Sequence, residues 1–292
     1  MMAGKRSFQI VIGTDGSASG RAAVDAATRF PWPAGASAVL VVASRGALEW
    51  SPAARALAQD VAQRVGASAL RMLRRRWPEA VARYPLQSPS AALLAAARSA
   101  RGTIVVGSGG RGPLGRMLLG SVSRQVVQGA TCPVLVVKSR LRRARRFTIG
   151  VDGSANSLRA ALMVARLSVP PGGRVTLVSV IEPVRVPSAA LMPTRISSAL
   201  RGEAARLMAE RRRAVERAQR LLRIRLRRAG WPVRELVRTG APLEGLLDAA
   251  TATRADVLVI GARGTGGVAR LLLGSVAEGA IGRAPMSVLV VR

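Results

Sequence analysis

The chain has 292 residues, with 46 Lys or Arg against 15 Asp or Glu and no His, for a formal charge of +31. The single cysteine, Cys132, excludes an internal disulfide framework and a cysteine-ligated zinc site, and the lack of His excludes Ser-His-Asp catalysis, Cys-His catalysis and histidine-ligated metals. A hydrophobic content of 49% supplies packed cores, and no apolar run approaches the roughly 18 residues that a membrane span needs.

The opening MMAGKRSFQIVIG has no apolar run ahead of a small-residue cleavage site, so a signal peptide is not expected and the reading is a cytoplasmic protein. Phe8–Thr14 then reads as an apolar strand and Ala18–Arg29 as a helix opened by Ser17. Ala38–Ser44 is a second strand. A long Arg-bearing helix follows, ending near Arg76 ahead of Trp77-Pro78. A weak strand lies near Val81–Leu86, and Pro89–Ser99 is a helix with proline at its start. Thr103–Gly107 reads as a buried strand, followed by a glycine-rich loop, a helix at Ser121–Gly129 and a last strand at Val134–Lys138. The basic stretch Ser139–Arg146 lacks apolar periodicity and reads as a linker. It divides a first domain, residues 1–139, from a second, residues 147–292, with 140–146 between them. In the second domain strands are expected at Phe147–Val151, Arg174–Ile181, Val233–Arg238, Asp256–Gly261 and Ser287–Val291. Strands separated by helices imply α/β architecture: two tandem doubly wound domains, each an open five-stranded parallel sheet with helices on both faces.

The two domains are copies. IGTDGSASGRAA (Ile12–Ala23) returns as IGVDGSANSLRAA (Ile149–Ala161), 137 residues on, and RMLLGSVSRQVVQGATCPVLVVK (Arg116–Lys138) returns as RLLLGSVAEGAIGRAPMSVLVVR (Arg270–Arg292), 154 residues on. Trp77-Pro78 and Trp231-Pro232 are already 154 apart, so the second copy's extra residues precede the end of its long second helix. Ile181–Leu200, with Pro183, Pro187 and Pro193, is the expected extra loop.

Glycine spacing carries the chemical signal. Gly107, Gly110 and Gly120 followed by Ser121, and Gly261, Gly264 and Gly274 followed by Ser275, each leave an apolar strand and end at a helix start. Glycines let bare backbone N–H groups approach an anion, and a helix N-terminus adds unpaired donors and a positive dipole end. A serine hydroxyl there caps the helix or contacts a phosphate. The bland alternative is that the glycines serve tight turns. GxxxxGK[ST] and GxGxxG are both missing, which sets aside P-loop NTPases and the dinucleotide fingerprint.

Taken together, the D-G-S ends of both first strands, both G-x2-G-x9-G-S patterns and the final apolar strands after Pro133 and Pro285 make the chain resemble a tandem universal stress protein. The resemblance covers nearly all of the chain apart from the linker and the insertion. It implies ATP binding, with any Mg²⁺ held mainly by phosphates and water. By resemblance, Asp15 and Asp152 contact the adenosine end, Ala43 and Val180 line the adenine pocket, and the glycines with Ser121 and Ser275 form the ribose and phosphate loops. Val122 and Val276 add backbone contacts. The copies differ at Gly102 against Asp256, Pro113 against Gly267 and Ser123 against Ala277, so the two sites are expected to differ. The resemblance also implies an intrachain pseudo-dimer, the copies pairing face to face through their last strands, and leaves a homodimer of whole chains open.

Arginine clusters at Arg71–Arg76, Arg140–Arg146 and Arg201–Arg228 read first as solvated faces. On the last, Leu207, Ala214, Ala218, Leu221, Leu222 and Leu226 are expected to form an apolar stripe. A codon bias toward Arg explains the choice over Lys but not the net charge, so a polyanion such as RNA or DNA, bound through its backbone, is the second reading. Cys132 reads as a small buried hydrophobe, and Trp32, Trp50, Trp77 and Trp231 as packing residues. The leading function is an ATP-binding stress-response regulator acting through conformation. The alternatives are a polyanion-binding protein with structural glycine loops and a slow ATPase, since no general-base pair is evident for dedicated hydrolysis.

Overall fold

A computed structural model describes residues 8–43, 51–98, 102–109, 119–138, 141–186, 194–264 and 273–292. The first half runs β1 (Gln9–Gly13), α1 (Ala18–Arg29), β2 (Ser37–Val41), α2 (Pro52–Arg74), β3 (Val81–Arg83), α3 (Pro89–Arg98), β4 (Gly102–Gly107), α4 (Ser121–Gly129) and β5 (Val134–Val137). The second half repeats it as β6 (Arg146–Gly150), α5 (Ala155–Ala165), β7 (Arg174–Ile181), α6 (Thr194–Arg228), β8 (Val233–Thr239), α7 (Pro242–Ala252), β9 (Val257–Gly261), α8 (Ser275–Arg283) and β10 (Ser287–Val291).

All ten strands form one sheet in the order β3-β2-β1-β4-β5-β10-β9-β6-β7-β8. Within each half the neighbours are parallel, and strand order reverses between β1 and β4 and between β6 and β9. The halves meet where β5 and β10 pair antiparallel, Val136 against Val288 and Val134 against Val290. The last strands therefore join the copies edge to edge within one sheet, which corrects the expected face-to-face pairing, because the free edges of β5 and β10 satisfy each other's main-chain hydrogen bonds. Every residue of β5 and β10 is buried, as strands covered on both faces must be.

Side-chain alternation along the strands builds two cores, both continuous across the seam. Ile10, Ile12, Phe147 and Ile149 face α1, α2, α5 and α6, while Val11, Ile104, Val136 and Val288 face α3, α4, α7 and α8. In the first core all three phenylalanines gather with two tryptophans. Phe30 meets Phe147 of the other half edge-on at 5.8 Å, Phe147 meets Trp231 at 5.3 Å, and Phe30 and Phe8 contact Trp32 at 4.3 and 6.0 Å. The main chain follows: Ser168 donates its N–H to Pro31 O at 3.0 Å and its hydroxyl to Trp32 O at 2.9 Å. Trp77 packs against its own half's core, and Trp50 lies outside the described residues.

The stretch between the halves is more than a spacer. Leu141 and Ala144 are buried, and Arg146 is already the first residue of β6. Asp256 receives it: Oδ2 accepts the main-chain N–H groups of Arg145 and Arg146 at 3.0 and 2.8 Å, and Oδ1 accepts Arg146 Nη2 at 2.6 Å. The hydrogen bond that the Arg146 guanidinium donates to Asp256 raises its pKa above the ordinary value. In the first half the same place belongs to Gly102, where a Cβ would stand 1.7 Å from the Gln9 carbonyl oxygen. The substitution of Gly102 for Asp256 is thus a matter of scaffold geometry.

Two expectations are corrected. The insertion is not all loop, because α6 begins at Thr194 and takes up its last residues as helix; residues 187–193 lie outside the described set. The buried stripe of α6 does not run through Leu207, Ala214 and Leu221, which are exposed; it runs through Gln219, Leu222 and Leu226. Gln219 is tolerated there because its Nε2 donates to Ser179 Oγ at 2.9 Å and to Leu236 O at 3.1 Å, which satisfies a buried amide. Among the described residues no helix is long and apolar enough to cross a membrane.

Candidate functional site

Ligands of open α/β sheets bind beyond the carboxyl ends of the strands, where strand order reverses. In the second half that place is a crevice of about 1130 Å³ between the ends of β6 and β9, walled by β7 and α6. Pockets for small molecules run to about 300–1,000 Å³, so the crevice has room for a nucleotide. It gathers every residue expected of this copy: Asp152, Val180, Gly261, Gly264, Gly274, Ser275 and Val276 all line it.

Asp152 has two occupations. Its Oδ1 accepts the Ser154 N–H at 2.9 Å and shapes the turn into α5, whose first turn Ser154 then caps by accepting from Ser157 N at 3.1 Å. Its Oδ2 faces Gly264, where an added Cβ would lie 2.7 Å from that oxygen. Gly264 is therefore the glycine that leaves the carboxylate open to the crevice. Gly261 has a different reason: a Cβ there would strike Asn156 Cβ at 2.7 Å, so this glycine permits α5 to lie on β9. Gly274 is the N-cap of α8, makes no side-chain cap and hands its N–H to Ala262 O at 2.9 Å. Ser275 is the first helical residue and is exposed, so its hydroxyl does not serve as the cap. The first turn of α8 thus turns uncapped N–H groups and a positive dipole end to the crevice.

Sequence reasoning missed three residues here. Asn156 Nδ2 donates to Arg263 O at 3.0 Å and fixes the loop after β9. Arg263 lines the crevice itself, as does Arg211 of α6, whose Nη1 donates to Glu182 O at 3.1 Å. The repeat held a signal for two of them: Asn156 stands where the first copy has Ser19, and Arg263 where it has Gly109.

The first half builds the same turn. Asp15 Oδ1 accepts the Ser17 N–H at 2.9 Å, and Ser17 caps α1 through Gly20 N at 3.1 Å. A Cβ on Gly107 would stand 2.3 Å from Ser19 O, again a packing requirement. Gly120 caps α4 without a side-chain bond, Ser121 is exposed at its first position, and Val122 and Ala43 are partly buried against the second core. Ser123 is buried and donates its hydroxyl to Gly107 O at 2.6 Å, so that hydroxyl is a brace between helix and strand. The chain leaves β4 by a different route from β9: Gly109 has φ +71°, a conformation suited to glycine, whereas Arg263 keeps an ordinary negative φ. Gly110, Pro113 and Gly267 lie outside the described residues. Cys132 is partly buried, and burial raises its thiol pKa.

Comparison with known proteins gives the family. The model of the universal stress protein family matches residues 8–138 and again 143–292. A universal stress protein of Mycobacterium tuberculosis (strain ATCC 25618 / H37Rv) is 31% identical over 201 residues, which is 65% of this chain and 61% of that protein. The match therefore spans about three-fifths of the mycobacterial relative. A universal stress protein of Thermus aquaticus is 32% identical over 149 residues, 51% of this chain and 98% of its own length. Among solved structures, a universal stress protein from Archaeoglobus fulgidus DSM 4304 aligns over 97% of this chain and 98% of its own at a TM-score of 0.62 and 19% identity, a likeness of fold.

Proposed function

The chain belongs to the universal stress protein family, and from that premise we propose that it binds ATP in the crevice of its second half and acts as a stress-response regulator through the conformation that occupancy selects. One observation carries the reading: an open carboxylate, an apolar wall and an uncapped helix N-terminus meet in one crevice. Asp152 Oδ2 suits the hydroxyls of a ribose, Val180 and Ile260 the face of an adenine, and the N–H groups of Ser275, Val276 and Ala277 in the first turn of α8 a phosphate. Arg211 and Arg263 add positive charge to the rim. A triphosphate brings its own ligands for Mg²⁺, and the protein's part is to hold the chain of phosphates in place. No hydrolytic step is required: a ligand that prefers one loop conformation shifts the population toward it. The first half, with Asp15, Gly107, Gly120 and Ser121 in matching places, offers a second site whose loop leaves the strand differently.

Calorimetric titration with ATP at about 0.3 M salt, where the Debye length is a few ångströms and exposed charges are screened, tests this reading. Saturable binding by the wild type that is lost from one site in Gly264→Val supports it. A wild type that takes up no ATP under those conditions, or a Gly264→Val variant that binds as before, overturns it.

A further inference from the structure

Helix α6 carries twelve arginines and three glutamates in 35 residues. At about 100° per residue, Arg213, Arg217, Arg220, Arg227 and Arg228 fall on the side opposite the buried Gln219, Leu222 and Leu226. All five are exposed, and among the described residues none has a carboxylate within 4.0 Å. The ridge extends about 22 Å at 1.5 Å per residue. Holding so many like charges on one face is unfavourable without a counter-charge.

The fold does not demand this ridge, and the first half supplies the control. In α2 the buried Gly66 and Leu73 occupy the places of Gln219 and Leu226. In that register Arg213, Arg217 and Arg220 correspond to Asp60, Arg64 and Ala67, and Asp60 neutralises Arg64 at 2.9 Å. Arg227 and Arg228 correspond to Arg74 and Arg75, so the first half fills the same structural role with three arginines and one aspartate on this face, where α6 has five arginines.

We propose that the outward face of α6 is a docking surface for the phosphate backbone of duplex nucleic acid, bound without regard to base sequence. A straight ridge of guanidinium groups matches a straight rod with one charge per about 1.7 Å. Guanidinium forks suit phosphate oxygens better than ammonium groups do. Stacking on unpaired bases has no platform here, because α6 contains no aromatic residue and the described Phe and Trp side chains pack into the first core. A lipid surface is the poorer partner. Along the ridge the apolar side of α6 is consumed by the sheet, and the large exposed apolar side chains there are a single pair one turn apart, Leu221 and Ile224, flanked by arginines. Arg213, Arg217 and Arg220 do not line the crevice, so this surface stands or falls apart from ATP binding.

The test is fluorescence anisotropy of a short random-sequence DNA duplex with the full chain. Five phosphate contacts predict an affinity loss of about 500-fold between about 50 and 200 mM salt. Arg213→Gln/Arg217→Gln/Arg220→Gln is expected to flatten the log–log salt slope by about 3. The charge-matched Arg71→Gln/Arg75→Gln/Arg83→Gln, all exposed positions outside α6, is expected to keep the wild-type slope. Circular dichroism confirms the fold of each variant, and ATP titration of the α6 triple separates this surface from the crevice. Equal losses in the two triples would reduce the effect to net charge and overturn the proposal. So would a wild type that ignores the duplex at low salt, or one that binds phosphatidylglycerol vesicles but not the duplex.

Discussion

Lys138 and Arg292 are the last residues of the two repeats, and each caps the other half's final helix. Lys138 Nζ donates to Gly282 O of α8 at 3.1 Å, and Arg292 Nη2 donates to Val127 O and Gln128 O of α4 at 3.0 and 2.6 Å. Gln128 and Gly282 are themselves equivalent in the repeat, so the two contacts are mates across a pseudo-twofold axis. Cations at helix C-termini complement the negative dipole end and satisfy carbonyls left without intrahelical partners. The contacts fasten the halves where β5 and β10 pair.

Burial lowers the pKa of Lys138 below its ordinary value of 10.5. The unfolded chain therefore binds more protons than the folded one between the lowered value and 10.5, and this group's contribution to stability rises with pH across that window. In urea melts at pH values from neutral to about 10.5, the wild type is expected to carry this upward component and Lys138→Met to lack it. The same substitution forfeits the cap, at about 1–2 kcal/mol near neutrality. Parallel pH profiles of the two proteins would contradict the account.

The glycines divide by what a methyl group would strike. Gly107→Ala places Cβ against the Ser19 main chain and is expected to cost about 1–3 kcal/mol. Gly264→Ala meets only the movable Oδ2 of Asp152, so its melting temperature should stay close to wild type while ATP affinity falls at the second site. Thermal melts and calorimetry on the pair check this, and the reverse pattern would refute the division.

Asp256 belongs to the scaffold although it marks one of the differences between the copies, Gly102 standing in its place in the first. Asp256→Ala strands the main-chain N–H groups of Arg145 and Arg146 and is expected to destabilise the protein by about 1–3 kcal/mol. Nucleotide affinity should not change, because Asp256 stands at the amino end of β9, away from the crevice. Urea melts and ATP titration on the same variant separate the two effects.

Most of the strands could be read because their apolar runs are short and bounded, and Arg174–Ile181 and Ser287–Val291 match β7 and β10 residue for residue. The start of α6 was hidden by Pro183, Pro187 and Pro193, which punctuate the insertion so strongly that the helix-forming residues after Pro193 were taken with it. Asp152 and the glycines that line the second half's crevice stood out because the repeat marked them, whereas Val180 rested on the family resemblance alone. Arg211 was not, since nothing in a run of three arginines tells which one turns toward a pocket. Nor does spacing distinguish Gly261, kept for helix packing, from Gly264, kept for an open carboxylate; only the neighbours of the absent side chain do.

The antiparallel meeting of β5 and β10 has a directional consequence. Crevices of this fold open at the carboxyl ends of parallel strands, and here the two sets of strands point opposite ways. The carboxyl ends of the two sets of strands therefore face opposite ends of the molecule, and the second half's crevice opens away from the matching strand ends of the first half. Phe30 and Phe147 join the halves through the core beside that seam, which makes the seam the place where any cooperativity between sites in the two halves would be set.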